Sequence, residues 1–166
     1  MRIFKLLLTT TLVTLLGGFP AFAQAADDAA IKVTSIAQME VEVTDKNGKK
    51  VLKRTAVDKA VPGDTVIFTT TFKNIIDKPA ANIVINNPIP TDTTYIAGSA
   101  FGKDCEIMFS ADGGKTYAHA EELKIRNANG QQRLALPREY TDIRWNHKVS
   151  LAAGKSAEVG FRAVIK

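Results

Sequence analysis

Cysteine is almost missing from this chain. Cys105 stands alone in 166 residues, which excludes an internal disulfide and leaves packing to hold the fold. Histidine is nearly as scarce. With only His119 and His147, a histidine-rich metal centre is excluded, and a Ser, His, Asp triad would have to recruit one of the two. No Gly-rich phosphate loop, paired-cysteine motif or nucleophile elbow occurs, so the chain is expected not to be an enzyme and to need no cofactor. Strong charge of one sign is lacking too: 22 Lys plus Arg stand against 17 Asp plus Glu. The basic residues are scattered, with one loose group at Arg133, Arg138, Arg144 and Lys148 that reads as a solvated face, so nucleic acid is not an expected partner.

Long apolar runs are also rare. The one at 6–16 breaks at Gly17-Gly18 and Pro20, short of the roughly 20 residues that a membrane-spanning helix needs. It follows the positive end Met1-Arg2-Ile3-Phe4-Lys5 and precedes Ala21-Phe22-Ala23-Gln24-Ala25-Ala26. Positive end, apolar middle and small-residue exit describe a secretory signal peptide over residues 1–25. Cleavage after Ala23 or after Ala25 satisfies the small-x-small rule equally. No cysteine follows for lipid attachment, and nothing at the C-terminal end reads as an anchor, so no membrane span is expected after cleavage. Arg2 and Lys5 would leave with the signal, lowering the balance to 20 against 17, or +3. The remaining 26–166 is the size of one domain, expected in the periplasm or the medium.

What fills that domain is alternation. Over 33–43 the residues Val33, Ser35, Ala37, Met39, Val41 and Val43 share one face of an expected half-buried strand. Asn47-Gly48 predicts a two-residue hairpin with both central residues at positive φ, and 50–56 is its second strand. Val61-Pro62-Gly63-Asp64 predicts a turn, after which Val66, Phe68, Thr70 and Phe72 alternate with Thr65, Ile67, Thr69 and Thr71. Another strand is expected over 80–86, ended by Pro88 and Pro90, which cannot donate to a ladder. Short strands are expected at 93–97, 105–109, 116–118, 123–125 and 141–145. The last, over 156–166, sets Ala157, Val159, Phe161, Ala163 and Ile165 on one face. Many short strands separated by Gly and Pro turns, with no long helix, predict an all-β antiparallel sandwich in a single domain. Trp145, at period two with Ile143, and Cys105, within a strand, are expected in the core.

Three segments carry a family resemblance: Pro62-Gly63-Asp64-Thr65-Val66 with Phe72-Lys73-Asn74; Ala80-Ala81-Asn82-Ile83-Val84-Ile85-Asn86-Asn87-Pro88-Ile89-Pro90; and Thr93-Thr94-Tyr95-Ile96-Ala97-Gly98-Ser99-Ala100. Together with the closing 151–157 they resemble the conserved-repeat β-sandwich of bacterial surface proteins, domain of unknown function eleven, over about residues 55–166. The resemblance implies an immunoglobulin-like fold and an extracytoplasmic setting, with no activity to transfer. Asn87 stands where the family commonly has Asp, and one copy is present where many relatives carry arrays. The motif residues Pro62, Gly63, Asp64, Asn74, Asn82, Pro88 and Pro90 read as structural, through turns and an extended connection off a sheet edge.

A second pattern, Phe109-Ser110-Ala111-Asp112-Gly113-Gly114-Lys115-Thr116-Tyr117, resembles an Asp-box hairpin turn. There Asp112 would take backbone N–H groups, with Gly114, Thr116 and Tyr117 completing the turn. One copy cannot build a propeller. Asp112, His119 and Glu121 are conceivable metal ligands, although His119 and Glu121 at spacing two describe an ordinary strand face equally well. A buried Lys, Asn and carboxylate trio for an isopeptide crosslink cannot be placed from sequence. The expected function is a non-catalytic exported structural or interaction module that binds another envelope or extracellular protein through a sheet edge or loops. The rival is a carbohydrate- or calcium-binding domain using 112–122.

Overall fold

The computed structural model describes residues 30–57 and 59–166; the segment read as a signal peptide, with both cleavage positions, lies outside them. Eleven strands follow in order: β1 (Ile31–Thr44), β2 (Lys50–Ala56), β3 (Thr65–Asn74), β4 (Val84–Pro88), β5 (Thr93–Tyr95), β6 (Phe101–Gly102), β7 (Cys105–Ser110), β8 (Lys124–Arg126), β9 (Gln132–Leu134), β10 (Asp142–His147) and β11 (Ser156–Ile165). All named pairings are antiparallel. The larger sheet runs β2-β1-β3-β11-β5, with β6 also on β11, and the smaller runs β4-β10-β7. The protein is thus an all-β sandwich. No helix among the described residues is long and apolar enough to cross a membrane.

The two sheets meet through period-two side chains. From β3 and β11, Phe72, Phe161, Val159 and Ala163 face Ile143 and Trp145 of β10, all at most 1% exposed. Trp145 and Phe161 lie with ring centroids 6.4 Å apart, and Tyr95, Phe109 and Tyr140 close one end of the core at centroid separations of 4.6–5.8 Å. Each such pair adds about 0.5–1.5 kcal/mol to the burial of its rings. His147 belongs to this core as well: its ring packs edge-on against Phe72 at 5.3 Å, and Nδ1 donates to the Val149 carbonyl at 2.7 Å.

The outer face of the larger sheet is also partly closed. Ile67, expected on the face opposite Phe68 and Phe72, is fully buried, because the guanidinium of Arg162 on β11 reaches across β3 to fork onto Glu40 of β1 at 2.9 and 3.0 Å. The aliphatic stem of the arginine can cover apolar surface while its head stays wet. Beside it the Phe101 ring lies over Gly160, where an added Cβ would come within 2.6 Å of ring carbon Cζ and would also collide with the Phe68 carbonyl.

Several local expectations need correction. The Asn47-Gly48 turn is longer than two residues, and only Gly48, at φ 77°, takes positive φ. The Asp45 carboxylate accepts from Asn47 and Lys49 N–H at 2.8 and 2.9 Å, while Gly48 N–H donates to the Asp45 carbonyl. That side chain stabilises a right-handed turn closed by a left-handed glycine. Pairing at 80–86 starts only at Val84, because Asn82 sits at φ 55° and breaks the extended run after an isolated bridge from Ala80 to Leu151. It then continues through Pro88, opposite Asp142, since the donor that proline lacks faces the open edge. Residues 116–118 supply a single bridge at Ala118. The strand expected at 123–125 runs over 124–126, and its partner β9 was not anticipated.

The largest departure is β1. Its register places Val33 opposite Phe72, Ala37 opposite Phe68 and Met39 opposite Val66, so the expected face does point to the core side. Most of it is nevertheless exposed, Val33 by 51%, with Met39 and Val43 half-buried. The core side chains show that β4, β10 and β7 lie over β3, β11 and β5, and no described strand lies over β1 or β2.

Two substitutions test this packing by chemical denaturation. Trp145→Ala is expected to cost about 3–5 kcal/mol through loss of burial and the cavity left behind. Gly160→Ala is expected to cost about 1–3 kcal/mol through overpacking against Phe101 and β3. An unchanged midpoint for Gly160→Ala would refute the placement of Phe101.

Candidate interaction surface

The uncovered face starts from register. Ile31 to Met39 of β1 pair with β3, whereas Gln38 to Thr44 pair with β2. The C-terminal half of β1 therefore runs past the start of β3 and projects with β2 as a hairpin. Along its core-side face stand Met39, Val41, Val43 and, from β2, Val51, with Val41 and Val51 each 36% exposed. Nearer the body, two hollows of about 280 and 410 Å³ follow β1 beside the free edge of β4. The first is floored by Phe68 and Phe161 and bounded by Ser35, Ala37 and Pro88; the second is bounded by Ile31, Val33, Ile83 and Ile85.

A polar seam marks where the closed core ends and this trough begins. Asn87 Nδ2 donates to Thr70 Oγ1 at 2.7 Å, and the Ser35 hydroxyl shares a hydrogen bond with the same Thr70 oxygen at 2.8 Å. Thr70 is only 1% exposed, so its hydroxyl needs these partners. Asn87 meets that need as a donor without burying a charge.

The sequence-predicted motif residues take structural places. Pro62 and Gly63, the latter at φ 96°, form the turn into β3, where Val61 N–H donates to Asp64 Oδ2 at 2.9 Å. Asn74 is fully buried at the end of β3. Its Nδ2 donates to the Lys78 and Leu151 carbonyls, each at 2.8 Å, and its Oδ1 accepts from Ile76 N–H. Both amide donors are used, and no lysine is among the buried residues described, so Asn74 is not placed for an isopeptide trio. Pro90 offers its carbonyl to both Thr93 N–H and Thr93 Oγ1.

The 110–117 turn is held by its own side chains. Asp112 Oδ1 accepts from Ser110 Oγ at 2.7 Å and from Lys115 and Thr116 N–H at 3.0 Å, while Oδ2 accepts from Thr116 Oγ1 at 2.6 Å. These bonds, led by those from Thr116, hold the Asp112 carboxyl far below its usual range. Gly114, at φ 76°, brings its N–H to Ser110 Oγ at 3.0 Å. Tyr117 lies under the Arg144 guanidinium, 3.7 Å from its ring centroid. A cation at Asp112 would have to displace donors that already satisfy the carboxylate.

Asp112, His119 and Glu121 do not converge: no group of three His, Cys, Asp or Glu side chains that could hold a metal occurs among the described residues. Glu121 lies in a turn, and His119 Nε2 is 3.3 Å from Glu106 instead. Glu106 also accepts from Lys148 Nζ at 2.5 Å and Asn146 Nδ2 at 3.0 Å, contacts that hold its carboxyl down to about 2. Arg133 forks onto Glu139 at 2.6 and 2.7 Å and, with Leu136 N–H, holds that carboxyl down to about 2 as well. The loose basic group of the C-terminal third is thus largely paired one residue at a time and is not a continuous basic patch. Cys105 is partly buried, its Sγ 3.3 Å from the Lys103 carbonyl, and burial raises its thiol pKa, which makes it a weak nucleophile.

No model of a protein family matches the chain, and no curated protein matches it either.

Asp112, Glu106 and Glu139 are all more acidic folded than unfolded. The folded state then binds fewer protons, so the stability they contribute is complete above their ordinary range near 4.5 and drains as pH falls toward about 2. Denaturation midpoints are expected to fall over that window, with a shallower slope in Asp112→Asn. An equal slope in that variant would contradict the role assigned to Asp112.

Proposed function

We propose that this chain is an exported, non-catalytic interaction module of the cell envelope or secreted fraction, which binds an extended segment of another protein along the uncovered face of β1 and β2. The single observation that carries this reading is the apolar row Val33, Ala37, Met39, Val41, Val43 and Val51, which continues the core face of the sheet with Val33, Ala37, Val41 and Val51 exposed and Met39 and Val43 only half-buried. Monomeric proteins rarely expose a contiguous apolar strip of this kind without a use for it. The trough beside β4 suits an extended segment whose alternate residues are apolar, because the hollows would take those side chains and supply specificity. The signal-like N-terminal segment supports export, and the Pro62-Gly63-Asp64, Asn74 and 80–90 motifs support kinship with the conserved-repeat immunoglobulin-like sandwiches of bacterial surfaces.

Two measurements test the reading. Protein purified from its own host is expected to begin at Gln24 or Ala26 and to fractionate outside the cytoplasm; an uncleaved cytoplasmic chain would overturn export. Crosslinking to envelope extract is expected to capture a partner that Val41→Asp with Val51→Asp binds at least about tenfold more weakly, with the fold intact by circular dichroism. Equal capture by that variant would remove the face from the proposal. Direct binding of calcium or a glycan, abolished by Asp112→Ala, would favour the rival reading.

A further inference from the structure

The outer edge of β1 over residues 31–37 has no partner among the described residues. Ala30 accepts from Ile75 N–H at 3.0 Å on the β3 side, and Asp45 N–H donates to the Lys49 carbonyl at 2.8 Å on the β2 side. Main-chain groups alternate in direction along an antiparallel strand, so Lys32, Thr34 and Ile36 bond to β3. Ile31, Val33, Ser35 and Ala37 aim both N–H and C=O outward. On that side β2 reaches only as far as Ala56, opposite Gln38.

The other long edges carry protection and this one does not. β2 presents Lys50, Lys53 and Arg54 in seven residues, and β4 turns Pro88 to its open side. The stretch Ile31-Lys32-Val33-Thr34-Ser35-Ile36-Ala37 contains one charge, no proline and no glycine. An open edge of this length with a single charge is a template for another strand.

We propose that the occupant is a second copy of this chain, which pairs β1 with β1 antiparallel about a two-fold axis at Val33. Three features select it. Outward-pointing residues must meet outward-pointing residues, and centring on Val33 sets Val33 opposite its own copy and Ile31 opposite Ser35, with about six main-chain hydrogen bonds. Lys32, the one charge, then falls opposite Thr34 and meets no like charge directly. Centring further along would drive Ala30 into Ala56 of the other copy, whereas in this register Ala30, the first described residue, falls opposite Ile36, short of β2. The interface is isologous and joins the two larger sheets into one. The dimer uses the backbone edge and the partner the side-chain face; Val33 belongs to both, but Val41→Asp with Val51→Asp tests the face without touching 31–37, so either claim can fail alone.

The full chain, purified from its own host, is tested by sedimentation across a protein concentration series together with amide-resolved hydrogen exchange. A reversible dimer is expected, with the Ile31, Val33 and Ser35 amides gaining protection as it forms while Lys32 and Thr34 stay unchanged. Val33→Lys and Val33→Glu are each expected to be monomeric, and their mixture is expected to restore the dimer; Val33 is half exposed, so neither disturbs the core. A monomer at every concentration, a dimer indifferent to Val33→Lys, or protection of this edge only by an added envelope protein would each overturn the proposal.

Discussion

The mismatch in width between the two sheets governs this structure. Three strands can shield about three strands, and β4, β10 and β7 lie over β3, β11 and β5. Beneath that lid the interior is apolar and aromatic, with Trp145 and Phe161 at its centre. Outside it, β1 and β2 continue the same hydrogen-bonded sheet without cover. The chain continues the pattern anyway, placing Val33, Ala37, Met39, Val41 and Val43 as though a lid were there. An apolar face maintained over a 14-residue strand costs solubility and invites aggregation, which is why we read it as a surface for use.

Polar groups mark the limits of the closed core. Asn74 ties the end of β3 to the 151 and 78 carbonyls, Thr70 gathers Asn87 and Ser35 at the open side, and Arg162 with Glu40 covers Ile67 from outside. Each lies where apolar packing stops, and the buried Asn74 amide and Thr70 hydroxyl are hydrogen-bonded, as desolvated polar groups must be. The 110–117 turn follows the same logic: Asp112 is spent on its own loop, which fits scaffold better than chemistry.

Much of this was legible because period-two alternation is a direct readout of sheet faces. β3, β10 and β11 sit where the alternation of Phe68 and Phe72, Ile143 and Trp145, and Val159 and Phe161 puts them, and Trp145 is buried as its spacing implied. Turn chemistry was legible in kind but not in detail. Asn47-Gly48 marked the right place, yet the Asp45 side chain chose a longer turn, and the parallel Asn127 to Gly130 turn that joins β8 and β9 went unnoticed. Asn82 defeated the reading locally, because a positive φ in asparagine leaves no trace in a run of alternating residues. The site itself was not legible. A strand covered by a second sheet and one left open carry the same alternation, and the difference lies in the strand count of the opposite sheet, a property of topology rather than of local sequence.

The most direct test of this account is amide-resolved hydrogen exchange on dilute protein, where dimers are absent, read along β1. The account predicts an alternation, with Lys32, Thr34 and Ile36 slow through their bonds to β3 and Ile31, Val33, Ser35 and Ala37 fast. Uniform slow exchange along that strand, matching β3 and β11, would mean that β1 is covered and paired on both sides, and would contradict the open sandwich on which the functional reading rests.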